Sequence, residues 1–170
     1  DGAALYDIEK KAYLLTYVLS SYQSKMIMDT LERLGINYFA NVVMDNVLVI
    51  YYEDLTNPAQ ESIYQKLSKS PYRNYVKRKV PERESVVYFM IIDKKEKVSE
   101  VYRQLVEEGW TDRYKILTYD SRDYEGYSYI KIYNKDATRK NMLTNLKAML
   151  NLDKSVVFGS DPATCDIMIS

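Results

Sequence analysis

Two apolar, β-rich runs, Tyr38 to Val43 and Val47 to Tyr52, flank the dipeptide Asp45-Asn46. Asp and Asn are turn formers, because their short polar side chains hydrogen-bond to nearby backbone. The pattern predicts a β-hairpin, which commits this part of the chain to antiparallel pairing. The remaining segments have to be arranged around that hairpin.

Before it, Gly2 to Asp7 and Tyr13 to Leu19 read as short extended segments around the polar Ile8-Glu9-Lys10-Lys11. Ser20-Ser21-Tyr22-Gln23 carries the serine-to-glutamine spacing of a capping box. Ile27, Leu31 and Leu34 then recur at helical spacing, and Gly35 supplies the stop. After the hairpin, Asn57-Pro58 opens a second helix that carries Ile63, Tyr64 and Leu67 and fades at Ser70-Pro71. Tyr72 to Ser85 is polar and basic, with Lys77-Arg78-Lys79 inside it. It reads as a solvated face or loop, with a phosphate-binding patch as the alternative. Val86 to Ile92 suits a buried strand. A third helix follows from Lys95 to Glu108, with Val98, Val101, Tyr102 and Leu105 on one face and Gly109 as its stop.

Tyr114 to Tyr119 and Tyr127 to Tyr133 are predicted strands, joined by residues 120–126. A fourth helix begins near Ala137, with Leu143, Leu146 and Leu150 in one stripe. Val156 to Phe158 is a further apolar strand that breaks at Gly159 into an acidic loop, Ser160 to Asp166. The expected fold is α+β, an antiparallel sheet covered by helices on one face, over residues 1–134. Residues 135–170 have a different grammar, helix, strand and acidic loop, which is that of an α/β core.

Charge narrows the function. Lys plus Arg and Asp plus Glu both number 24, so the chain has no net field to draw it to nucleic acid or an anionic membrane. Histidine is absent, which excludes a Ser-His-Asp triad and imidazole-based metal sites. The single cysteine, Cys165, cannot form an internal disulfide and is read as structural, as expected in a reducing cytoplasm. No stretch of roughly 18 apolar residues is present to span a membrane. Tyrosine is abundant at 18 copies. Such rings could form a stacking surface for sugars or bases. Because they are spread along the chain, β-propensity is the plainer explanation.

Two segments resemble the haloacid dehalogenase superfamily, in particular its type IIB (Cof-like) subfamily. The opening Asp1-Gly2-Ala3-Ala4-Leu5-Tyr6-Asp7 looks like the Asn-Gly-Ala segment by which those proteins leave their core for a large C2-type cap, with Asp1 in place of Asn. The second match runs from the strand Tyr129 to Tyr133 through Asp136-Ala137-Thr138-Arg139-Lys140 to the Leu-patterned helix, Val156 to Phe158 and the acidic loop. The resemblance implies an α+β cap over residues 1–134. It also implies a helix–strand–loop remnant of the Rossmann-like core over 135–170.

It implies, further, a Mg²⁺-dependent phosphatase acting on a small phosphorylated metabolite. The family's phosphate-neutralising lysine falls on Arg139, with Lys140 beside it. The family's metal loop falls on Gly159-Ser160-Asp161, with Asp161 and Asp166 as the Mg²⁺ carboxylates and a serine straight after the glycine. The Asp-x-Asp nucleophile motif followed by Gly-Thr occurs nowhere in this sequence. The expectation is therefore a cap fragment, inactive as the isolated chain, with a surface left for the missing core or for a second copy. The alternative is a diverged, non-catalytic cap that serves as a binding or interaction module.

Overall fold

A computed structural model of the chain describes residues 1–154. The capping box forms as the sequence predicts. Ser20 Oγ accepts from the Gln23 amide at 3.2 Å and Gln23 Oε1 accepts from the Ser20 amide at 2.9 Å, which starts α1 (Ser21–Arg33). The hairpin follows as β3 (Phe39–Met44) and β4 (Val47–Tyr52). Asp45 and Asn46 both take left-handed backbone, with φ of 48° and 63°. That is the two-residue turn whose twist matches the flanking strands. Preceding the hairpin, β1 (Ala4–Asp7) and β2 (Ala12–Thr16) pair as a separate antiparallel ribbon.

Asn57 caps α2 (Pro58–Leu67) through its side chain, which accepts from the Gln60 amide at 3.0 Å. The segment after α2 corrects the sequence reading. Where a solvated loop was expected, Arg73–Lys77 forms β5, parallel to β4. A strand on a sheet edge has one neighbour only, so it tolerates the polar Arg73, Asn74 and Lys77 that masked its pattern. Next come β6 (Tyr88–Lys94), α3 (Lys95–Glu107), a short α4 (Trp110–Arg113), β7 (Tyr114–Asp120), β8 (Tyr127–Asn134) and α5 (Arg139–Leu150). The predicted strand Val156 to Phe158 and the acidic loop lie outside the described residues.

Strands β3 to β8 form one six-stranded sheet in the order β5-β4-β3-β6-β8-β7. It is mixed rather than purely antiparallel, because α2 acts as a crossover that returns β5 alongside β4. Its first face is the main core. Phe89, Ile91, Ile130 and Ile132 are fully buried there with Ile27 and Leu31 of α1, Val98 and Leu105 of α3, and Trp110. Helices do not keep to that face, however. Ala59 and Ile63 of α2 pack on the second face with Phe39, Ile50, Tyr52 and Ile92. Asn57 Nδ2 and Gln60 Nε2 both donate to the Ile92 carbonyl at 3.1 Å, while Gln60 Oε1 accepts from the Thr56 amide at 2.8 Å. These bonds satisfy buried polar groups and fasten α2 over one end of the second face only.

The stretches leading into and out of the sheet lie together. The Tyr17 amide donates to Ala3 O at 2.8 Å, Leu19 pairs with Val86, and Asn134 Nδ2 donates to Val18 O at 2.7 Å. On α5 the buried residue is Met142, while Met149 and Leu150, and Leu152 just beyond the helix, are about half exposed. Among the described residues, no helix is long and apolar enough to cross a membrane.

Truncation of the first face should be costly. Phe89→Ala and Leu105→Ala should each lower the unfolding free energy by about 3 to 4 kcal/mol in urea titrations followed by circular dichroism. Losses under about 1 kcal/mol would mean that this layer is not the core.

Candidate functional site

Side chains alternate along a strand, so packing Phe89, Ile91, Ile130 and Ile132 into the first face aims their neighbours at the second. The pairing registers then set one row across all six strands: Tyr75, Ile50, Asn41, Tyr88, Tyr133 and Lys115. Because α2 roofs one end alone, the rest of this face opens into a cavity of about 880 Å³. That is within the range of small-molecule sites.

One wall comes from α2 and the loop between β7 and β8. Lys66 Nζ lies 5.2 Å from the centre of the Tyr124 ring, and the Tyr124 hydroxyl bonds to Ser62 Oγ at 2.8 Å. Asp120 accepts from Lys95 Nζ at 2.7 Å and from Ser128 Oγ at 2.8 Å. These two bonds, Lys95 first, hold its carboxyl below the usual range. Asp120 is thus engaged within the fold.

The opposite wall is built where the N-terminal segment meets the start of α5. Gly2 has φ of +84°, and a Cβ there would run into the backbone of Thr138 and Arg139. Only glycine permits that approach. It brings Asp1 into the cavity, where its carboxylate accepts from the Tyr133 hydroxyl at 2.6 Å and sits 3.6 Å from Lys131 Nζ. Lys115 Nζ donates to the carbonyls of Asp1 at 2.7 Å and Ala137 at 2.6 Å, which ties the start of α5 to β7. Thr138 caps α5, so Arg139 is its first residue. Arg139 lines the cavity, and among the described residues its buried Nη1 has no hydrogen-bond partner.

Five tyrosines line the cavity: Tyr75, Tyr88, Tyr119, Tyr124 and Tyr129. Tyr88 stacks on Tyr133 at 5.2 Å between centroids, and Tyr119 on Tyr129 at 5.1 Å. Burial pushes the Tyr88 hydroxyl above its ordinary pKa, against the opposing pull of Lys131 and Arg73. Burial likewise raises Tyr75, and Arg73 opposes it. Arg73 and Lys131 line the cavity together with Tyr88. The arrangement can hold an anion among desolvated cations and lay a polar ring against tyrosines.

Of the residues singled out from sequence, the structure puts Arg139 in the cavity and leaves the adjacent Lys140 exposed on α5. Asp161 and Asp166, like Ser160 and Cys165, lie outside the described residues. Among the described residues, no group of three Asp, Glu, Cys or His side chains could hold a metal ion. Sequence reasoning missed Arg73 and Lys131. Lys131 had a signal, a cation on the same side of a strand as Tyr127, Tyr129 and Tyr133. Arg73 had none, since its strand went unrecognised.

Fold and cavity together define a mixed α/β sheet domain with one face packed and the other open over a cavity. The chain belongs to the haloacid dehalogenase-like hydrolases, whose family model matches residues 1–162. No curated protein matches the chain. Among solved structures, it is similar to a haloacid dehalogenase-like hydrolase from Bacteroides thetaiotaomicron, at 15% identity with a TM-score of 0.60, over 89% of this chain and 52% of that one. It is also similar to a haloacid dehalogenase-like hydrolase from B. subtilis, at 14% identity and a TM-score of 0.60, over 89% and 57% of the two chains. A subclass IIB sugar phosphatase of the superfamily matches at 12% identity and a TM-score of 0.54, over 89% and 51%. The chain thus spans about half the length of these structures.

The buried tyrosine sets a pH dependence. The neutral form of Tyr88 is favoured in the fold, so its contribution is complete below the unfolded pKa of about 10 and is lost as pH rises past it. Urea unfolding at pH 9 and pH 11 should show stability falling, and Tyr88→Phe should reduce the fall. An equal fall in the variant would mean that Tyr88 ionises freely.

Proposed function

We propose that residues 1–134 are the cap of a Mg²⁺-dependent phosphatase acting on a small phosphorylated metabolite, a sugar phosphate among them. In this reading, residues 135–170 begin the return to the catalytic core. The observation that carries it is Arg139, a half-buried side chain that lines the tyrosine-lined cavity and whose buried Nη1 has no hydrogen-bond partner among the described residues. It stands where the family resemblance places the phosphate-neutralising cation.

Two further features support the reading. The segments that enter and leave the sheet run side by side, as they must in a domain inserted into another. The half-exposed Met149, Leu150 and Leu152 give the rest of a core something to pack against.

In the closed enzyme, Arg139 neutralises the phosphoryl oxygens as charge develops, and the sheet face covers the remainder of the substrate. Closure excludes water and strengthens that electrostatic interaction. Mg²⁺ bound through Asp161 and Asp166 would supply further neutralisation of the phosphoryl group. The attacking aspartate has to come from another segment, since this sequence holds no Asp-x-Asp. This chain alone binds substrate and does not turn it over.

The natural product, detected in its own cells by immunoblot, should be heavier than 20.0 kDa. Purified with Mg²⁺, it should release phosphate from sugar phosphates, and Arg139→Gln should lower kcat/KM by about a hundredfold. A natural product of 20.0 kDa that binds such esters without hydrolysis would replace the enzyme with a non-catalytic binding module.

A further inference from the structure

The two lysines of the basic segment after α2 are neutralised within the fold. Lys77 Nζ pairs with Asp54 at 3.3 Å, and Lys79 Nζ pairs with Glu32 at 2.8 Å and Glu53 at 3.9 Å. The Arg78 guanidinium lies over the Tyr51 ring at 5.5 Å. Arg73 is the cation of this segment that lines the cavity. It is half-buried, and among the described residues no carboxylate lies within ion-pair distance of it. A partly desolvated guanidinium without an anion is unfavourable unless a ligand supplies one.

Its position is what makes it informative. Arg73 is on β5, one edge of the sheet, whereas Lys115 ties the start of α5, and so Arg139, to β7 at the other edge. Five strand spacings, about 24 Å, separate those edges. Both side chains nevertheless line the same cavity, as do Tyr88 and Lys131. The two arginines are rooted at opposite edges of the sheet, so each offers its own place for an anion along the cavity.

We infer that the ligand of this cavity carries two anionic groups, a phosphoryl group at Arg139 and a second phosphate or carboxylate at Arg73. The inference rests on the reading of the cavity as a site for phosphorylated metabolites. A neutral sugar ring alone needs no guanidinium at the β5 edge. A metabolite with charge at both ends satisfies both arginines and spans the tyrosine-lined floor.

Calorimetry on the purified chain with glucose 6-phosphate and glucose 1,6-bisphosphate separates the possibilities. The wild-type chain should bind the bisphosphate at least tenfold more tightly. Arg73→Gln should weaken the bisphosphate by about ten- to a hundredfold, the range for a lost charge-assisted bond, and leave the monophosphate unchanged. Arg73→Lys should restore part of the preference, and Lys77→Gln should keep all of it. Equal binding of the two sugars by the wild type, or an unaltered preference in Arg73→Gln with unaltered Tm, overturns the second anion site while the phosphorylated-ligand reading stands. Binding of neither sugar overturns both.

Discussion

Burial of Phe89, Ile91, Ile130 and Ile132 beneath α1 and α3 is the constraint from which the rest of the molecule follows. A strand has only two faces, so fixing these four residues inward fixes Tyr88, Met90, Tyr129 and Lys131 outward. A slip of one residue in β8 would exchange its two sets and place Lys131 in the hydrocarbon layer. That penalty locks the register of β6 against β8, and the pairing of β3 and β7 is built outward from it. The chemistry of the open face is therefore specified by the packing of the closed one.

The second face is assembled from parts that are distant in sequence. Asn57 and Gln60 hold α2 over one end through the Ile92 carbonyl, and Gly2 lets the N-terminal segment press against α5 at the other. Between these anchors the sheet is left uncovered. Cations enter from α2, β5, the loop after β7, β8 and α5, and the rings come from four strands and a loop. No short motif could encode such a site. It exists because the sheet collects every second residue of several strands on one surface.

This explains what could be read from the sequence. The capping box at Ser20, the Asp45-Asn46 turn, the α3 stripe and the Tyr127–Tyr133 alternation are local signals, and each produced the predicted element. β5 was hidden because an edge strand needs few apolar residues, and the placement of α2 on the opposite face follows from a crossover that no local pattern records. The Leu143, Leu146 and Leu150 stripe announced a helix, yet Met142 is what α5 buries among the described residues. Arg139 was found through family resemblance, whereas Arg73 required knowledge of which strand joins which. The tyrosines seemed scattered because the order that gathers them is that of the sheet.

The edge position of β5 has a bearing on how such proteins diversify. β5 is bonded to β4 alone, and it follows a helix that is fastened independently by Asn57 and Gln60. Of β5, Val76 packs against the layer beneath α1 and α3, so folding places less restraint on Arg73, Asn74 and Lys77. Selection on ligand choice can act at this rim while the stability of the domain is maintained from the opposite face. Altering that single outlying strand changes the rim of the cavity without rebuilding the sheet.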